Sequence, residues 1–242
     1  MSDVPQLARA HTHPGPFYGF LRAVMQAIVG VVLFRSLHVE GEERVPRSGA
    51  LLVVSNHIAS ADPPILGAIF PRPLHFMAKM EWYKTPWLAW LARQYLCFPV
   101  VRHTADRASL RFALDLLAAG EALCIYPEGT RAEDAQLHRP EAGAGFLAAR
   151  SGALILPVAI WGSEKVLPKG SHWPKRADTH MVYGEPFSLP HRDMDRQEAA
   201  DLMMWHIAQL LPAEYRGHFK DWSPPAEMEE AIGARQPSEA GV

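Results

Sequence analysis

Four short apolar runs restrict the fold more than any other feature: LLVVS at 51–55, LCFPVV at 96–101, ALCIY at 122–126 and ALILPVAI at 153–160. Each is β-prone and has the length of a buried strand. Helical patterns with recognisable ends separate them. Asp62 precedes Pro63 and reads as a helix cap, and Thr85 precedes Pro86 in the same way. Leu110, Ala113, Leu114 and Leu117 form an apolar stripe stopped by Gly120, and a helical stretch at 145–150 stops at Gly152. A further helix at 196–211 is broken by Pro212. This alternation predicts a single α/β domain with a central, mostly parallel or mixed sheet flanked by helices.

The segment FYGFLRAVMQAIVGVVLF at 17–34 is the most apolar of the chain, but Arg22 and Gln26 interrupt it and Arg35 closes it. The uninterrupted remainder is far shorter than the ~20 residues that cross a bilayer. An amphipathic helix at 15–36 is expected, lying in a membrane interface with Arg22 snorkelling, or packed on its own domain. Residues 1–14 form a polar arm expected to be flexible, 37–222 the main domain, and 223–242 a Pro-, Glu- and Ala-rich tail expected to be loosely ordered. The N-terminus lacks the pattern of a secretory signal. Cys97 and Cys124 fall in separate strand-like runs, as buried thiols of a reducing compartment do.

A formal net charge of −2 excludes a generally basic nucleic-acid binder. The charge is uneven: 72–111 holds Arg72, Lys79, Lys84, Arg93, Arg102, Arg107 and Arg111 against Glu81 and Asp106. Such a stretch suits an anion or a solvated helical face equally. Trp82, Tyr83, Trp87 and Trp90 lie within it, as suited to a membrane interface as to core packing. His11 and His13 sit in the polar arm and do not form a metal set.

The chemistry concentrates after the apolar runs. Asn56-His57 follows the first, Arg102 the second and Pro127-Glu128-Gly129-Thr130-Arg131 the third. If the strands are parallel, these residues converge at one sheet edge, where α/β proteins bind ligands. His57 on a loop and Asp62 on the next helical turn can face each other, so that the carboxylate fixes the imidazole tautomer and leaves a base. With no Ser or Cys nucleophile nearby, that base would act on a hydroxyl or on water. Gly129, Thr130 and Arg131 suit a phosphate; Glu128 needs a partner, for which Arg102 and Lys79 are the candidates.

Taken in order, Asn56-His57 with Asp62, FPVVR at 98–102, YPEGTR at 126–131 and LPV at 156–158 resemble the four motifs of the glycerophospholipid acyltransferase family. The resemblance extends over 17–219 and implies a glycerol-3-phosphate acyltransferase-like fold. It implies transfer of a fatty acyl group from acyl-CoA or acyl carrier protein to the free hydroxyl of 1-acylglycerol 3-phosphate. His57 would be the general base and Asp62 its orienting partner. Lys79, Arg102, Glu128, Gly129, Thr130 and Arg131 would bind the glycerol phosphate, and Pro157 would shape the acyl-donor side. The resemblance implies no metal, no cofactor beyond the acyl co-substrate, and peripheral association with the cytoplasmic face of the cell membrane. Three positions depart from the common pattern: Ala59-Ser60 after the motif His, Tyr126 where Phe is usual, and Glu141 in the segment before the last motif. A different acceptor such as a lyso-ornithine lipid, a lipid hydrolase and a non-catalytic lipid-binding module are the alternatives. GAGFLA at 143–148 has dinucleotide-motif spacing but follows HRPEA, not a strand, and reads as small residues that let helices approach.

Overall fold

All five residues of LLVVS are buried, as expected of a strand covered on both faces. The computed structural model describes residues 14–30, 34–101, 106–166, 173, 175–189 and 194–225, and in it this run is the centre of a seven-stranded sheet. The strands are β1 (Phe34–Glu40), β2 (Leu51–Ser55), β3 (Leu74–Lys79), β4 (Cys97–Val100), β5 (Ala122–Ile125), β6 (Leu154–Trp161) and β7 (Ala177–Tyr183). Their order across the sheet is β1-β7-β6-β2-β5-β3-β4. β2 to β6 run in one direction, whereas β7 pairs antiparallel with β6 and parallel with β1, so the sheet is mixed but mostly parallel.

The four expected strands are β2, β4, β5 and β6. β7 alternates buried and exposed positions, because one of its faces meets solvent. β1 is an edge strand whose Ser36, His38 and Glu40 break up its apolar residues. It occupies the end of the segment expected to be helical, so the N-terminal α1 spans only Tyr18–Ile28.

The remaining helices are α2 (Asp62–Ile69), α3 (Pro86–Gln94), α4 (Arg107–Ala118), α5 (Ala142–Ser151) and α6 (Arg196–Leu210). One core lies between the sheet and α4, α5 and α6, with Phe112, Leu116, Leu147, Leu202 and Ile207 buried in it. A second lies on the opposite face under α2, with Ile65, Leu66, Phe70 and Tyr183. GAGFLA packs α5 on α6: a Cβ on Gly145 would stand 1.8 Å from the Arg196 carbonyl oxygen. The close approach explains the glycine without any cofactor.

Arg22 and Gln26 face inward. Arg22 donates to the Ala68 and Phe70 carbonyls, and Gln26 donates to the Ala68 carbonyl at 2.8 Å. These are carbonyls left unpaired at the C-terminus of α2, so the polar side of α1 caps another helix. Arg22 is therefore a docking residue in this arrangement, and α1 turns Phe17, Phe20, Val24 and Ile28 outward. Among the described residues no helix is long and apolar enough to cross a membrane. Residues 1–13 and 226–242, most of the expected arm and tail, lie outside the described residues.

Candidate active site

Because β2 to β6 are parallel, the residues that follow them meet at one edge of the sheet. His57 follows β2, Lys79 ends β3, Tyr126 to Arg131 follow β5, and Gly162-Ser163 follows β6. The basic stretch does not converge as a whole. Arg72 sits at the opposite edge, donating to the Pro46, Gly49 and Gly120 carbonyls, and ties together the loops that enter β2, β3 and β5. Arg102 lies outside the described residues.

The His57–Asp62 pair forms. Nδ1 of His57 stands 2.9 Å from Oδ2 of Asp62, and both residues are buried. A carboxylate oxygen only accepts, so the neutral imidazole holds its proton on Nδ1 and its lone pair on Nε2. Asp62 does not cap its own helix. It is the first residue of α2, and its Oδ2 turns back to accept from the amides of Ile58 at 2.8 Å and Ala59 at 2.7 Å. The reason lies in the next two residues: Pro63 and Pro64 have no N–H to offer, and the Ile65 amide is already bonded to the Ala61 carbonyl. The carboxylate is thus free to organise the loop that carries His57.

Two further anchors hold that loop. The Asn56 side chain exchanges hydrogen bonds with both the amide and the carbonyl of Ile160, at 2.8 and 2.7 Å, prolonging the β2–β6 ladder by one rung. The His57 carbonyl accepts from the Ala132 amide at 2.8 Å. Tyr126 lies under the imidazole, with ring centroids 4.3 Å apart.

Glu128 finds partners other than the expected Lys79. Its oxygens accept from the amides of His57 at 3.4 Å and His138 at 3.1 Å, so the carboxyl braces the His57 loop against the segment after the YPEGTR turn. Burial pushes its pKa up to about 7, against the pull of those two amides. Gly129 has φ +68°, and the Glu141 side chain lies against it, 3.0 Å from where a Cβ would stand. Thr130 and Arg131 are exposed, with Arg131 donating to the Ser60 hydroxyl. Lys79 is exposed at the end of β3.

Pro157 is placed differently from the other motif residues. It pairs with Val54 inside the sheet, about 10 Å below the level of His57 at ~3.3 Å per residue. Its missing N–H coincides with the break between the β6–β7 pairing and the Ile155–Phe187 bridge, and its ring packs on Gly184.

From His57 a groove of about 950 Å³ runs between the sheet and α4 and α5. Met77, Val100, Leu110, Ile125, Phe146 and Leu147 give it apolar walls, and Arg107, Glu141 and Arg196 add charge. Two contributors were absent from the sequence-based set: Ser163, whose hydroxyl donates to Oδ1 of Asp62 at 2.6 Å, and the groove walls; Asn56 was read as part of the His57 motif, without the anchoring role it takes here. Ser163 had a signal, since Gly162-Ser163 closes the fourth apolar run as the other polar motifs close theirs.

A family model described as Acyltransferase matches residues 36–161, from β1 to the end of β6 and including His57, Asp62 and the YPEGTR loop. The chain belongs to this acyltransferase family. The 1-acyl-sn-glycerol-3-phosphate acyltransferase of Bacillus subtilis is 29% identical over 171 residues, which cover 70% of this acyltransferase and 81% of that one. A Mycoplasma pneumoniae relative, named "Probable 1-acyl-sn-glycerol-3-phosphate acyltransferase", is 36% identical over 188 residues, 72% of this chain and 70% of its own. The chain spans about half the length of the chloroplastic relatives it matches. Among solved structures, the 1-acyl-sn-glycerophosphate acyltransferase PlsC of Thermotoga maritima superposes with a TM-score of 0.64 at 25% identity, covering 80% of this chain and 81% of that one.

Proposed function

We propose that this acyltransferase moves a fatty acyl group from an acyl thioester, acyl-CoA or acyl carrier protein, to the free hydroxyl of 1-acylglycerol 3-phosphate, giving phosphatidate and a free thiol. Nε2 of His57 takes the hydroxyl proton as the oxygen attacks the thioester carbonyl. The tetrahedral intermediate then collapses: the C–O bond remains, the C–S bond breaks, and the departing sulfur receives the proton from the imidazolium. The step needs only the two substrates. The observation that carries this reading is the buried His57–Asp62 pair, its tautomer set by a carboxylate with fixed partners, at the end of an apolar groove.

The groove walls suit an acyl chain, each buried methylene contributing ~0.8 kcal/mol. Thr130 and Arg131, with Gly129, Lys79 and Arg102, bind the glycerol phosphate, and Glu128 supports them through the backbone. Pro157 acts on the donor side through the strand it interrupts, not by contact with the groove.

Peripheral binding at the cytoplasmic face of the membrane belongs to the same reading. Phe20 is 66% and Trp87 65% exposed, and Phe17 meets Trp90 edge to face with centroids 6.4 Å apart, joining the outer faces of α1 and α3 into one apolar surface. Aromatic side chains of this kind suit the headgroup region of a bilayer.

The test is purified protein with a panel of lysolipids, including 1-acylglycerol 3-phosphate and lyso-ornithine lipid, each with both thioester donors. Phosphatidate formation that depends on the lysophosphatidate is the expected result. Free fatty acid released without an acceptor, or product from lyso-ornithine lipid alone, would overturn the assignment.

A further inference from the structure

We propose that Ser163 is a positioning residue of the base, acting through Asp62. The inference rests on the reading of His57 as the proton acceptor. Oδ2 of Asp62 accepts from His57 Nδ1, Ile58 N and Ala59 N. Oδ1 accepts from the Ser163 hydroxyl at 2.6 Å, and Asp62 and Ser163 are both 0% exposed. Among the described residues, Ser163 is the donor that serves Oδ1.

The chain goes to some length to bring this hydroxyl in. Ser163 comes 101 residues after Asp62 and enters the site from the end of β6. Gly162 makes the turn at φ +86°, where a Cβ would lie 2.2 Å from the Asp178 carbonyl oxygen, so only glycine turns this tightly beside β7. Ser163 is then held in a single 3-10 turn, its carbonyl accepting from the Val166 amide at 3.0 Å. The next residue, Glu164, accepts from the Tyr215 hydroxyl at 2.9 Å, and before the turn the Asn56–Ile160 exchange fixes the level of the two strands. The hydroxyl is thus anchored on both sides.

A hydrogen bond donated to a carboxylate draws off part of its negative charge. Ser163 therefore tempers the charge that Asp62 presents to an imidazolium at His57. It also fixes the plane of the carboxylate and so the direction of Nε2. Among the described residues, the other titratable groups facing the pair are Cys124 of β5, and Tyr126 and Glu128 from the loop that follows it. Burial pushes the phenol and the thiol far up, so both stay neutral, and Glu128, raised to about 7, titrates alike in wild type and variant.

The test is the pH profile of kcat/KM for acyl transfer to 1-acylglycerol 3-phosphate between pH 5 and 9, for wild type, Ser163→Ala and Ser163→Cys. In Ser163→Ala the acid limb is expected to move up by roughly 0.5–1 pH unit, which is a ~3–10-fold loss on that limb, with convergence toward wild type at high pH. Ser163→Cys fills the site with a weaker donor and moves the limb the same way by less; it carries the test if the alanine variant does not fold. A loss that is equal at every pH, with the limb unmoved, makes Ser163 merely structural and overturns the proposal. Absence of transfer by the wild type, or full activity of a His57 variant, would instead remove the base itself.

Discussion

Asp62→Asn separates the two duties of the carboxylate, its charge and its hold on the tautomer. The substitution is isosteric, and the local donors dictate how the amide sits. Ile58 N and Ala59 N, at 2.8 and 2.7 Å, both point at Oδ2, so the amide oxygen must occupy that place. The amide nitrogen then falls at Oδ1, against a Ser163 hydroxyl that can rotate from donor to acceptor. The oxygen still accepts from Nδ1 of His57, and Nε2 remains the base. What is lost is the charge that stabilises the imidazolium during proton transfer. A hydrogen bond to a charged group contributes about 1.5–3 kcal/mol and a neutral one about 0.5–1.5, so the loss is about 1–2 kcal/mol. That is roughly a 5–30-fold fall in kcat, far below the ~10⁴-fold seen where such a change reverses the tautomer. The assay is phosphatidate formation at saturating substrates, with unfolding curves to confirm that the fold is kept. A fall beyond about 10³-fold would mean that Ile58 and Ala59 do not hold the tautomer, and an unchanged kcat would uncouple Asp62 from the chemistry.

Other expectations follow from separate parts of the structure. Arg131→Ala removes an exposed guanidinium at the mouth of the site and is expected to weaken lysophosphatidate binding by about 1.5–3 kcal/mol. KM for an acceptor without phosphate should not change, and an equal loss there would exclude Arg131 as the phosphate ligand. Glu128 has its folded-state pKa raised from 4.5 to about 7, so its protonated form favours the fold. That contribution is complete below pH 4.5 and is lost as pH rises through 7, so wild type should lose about 2–3 kcal/mol relative to Glu128→Gln between pH 4.5 and 8. Denaturant titrations at both ends check this, and a constant difference would refute it. Trp87→Ser with Phe20→Ser, at two exposed positions, should lower binding to anionic phospholipid vesicles roughly tenfold or more without changing the unfolding midpoint. Unchanged co-sedimentation would exclude the outer faces of α1 and α3 as the membrane contact.

Sequence reading succeeded where burial is symmetrical. β2 is apolar from Leu51 to Val54 because both of its faces are covered, and the residues after β2 and β5 meet because those strands are parallel neighbours. Three strands escaped: β1 and β7 because one sheet face there meets solvent and their alternation is easily mistaken for loop or helix, and β3 because His75 and Lys79 break up its short apolar run. His57 and Asp62 were legible from local spacing. The roles of Glu128 and Arg72 were not, since their partners are backbone groups to which the sequence gives no address. Arg22 is the sharpest case. Its charge interrupts an apolar segment and suggests a bilayer edge, yet it pairs with the carbonyl end of α2, a partner that exists only once both helices have formed.

The central claim, that His57 takes the proton from the acceptor hydroxyl, is tested most directly by the turnover of His57→Ala. Phosphatidate formation should be measured with wild type and variant at equal concentration, each shown to be folded by its unfolding transition. The expected result is a fall in kcat on the order of 10²–10⁴-fold with the transition preserved. A folded His57→Ala protein that transfers the acyl group at close to the wild-type rate would contradict it.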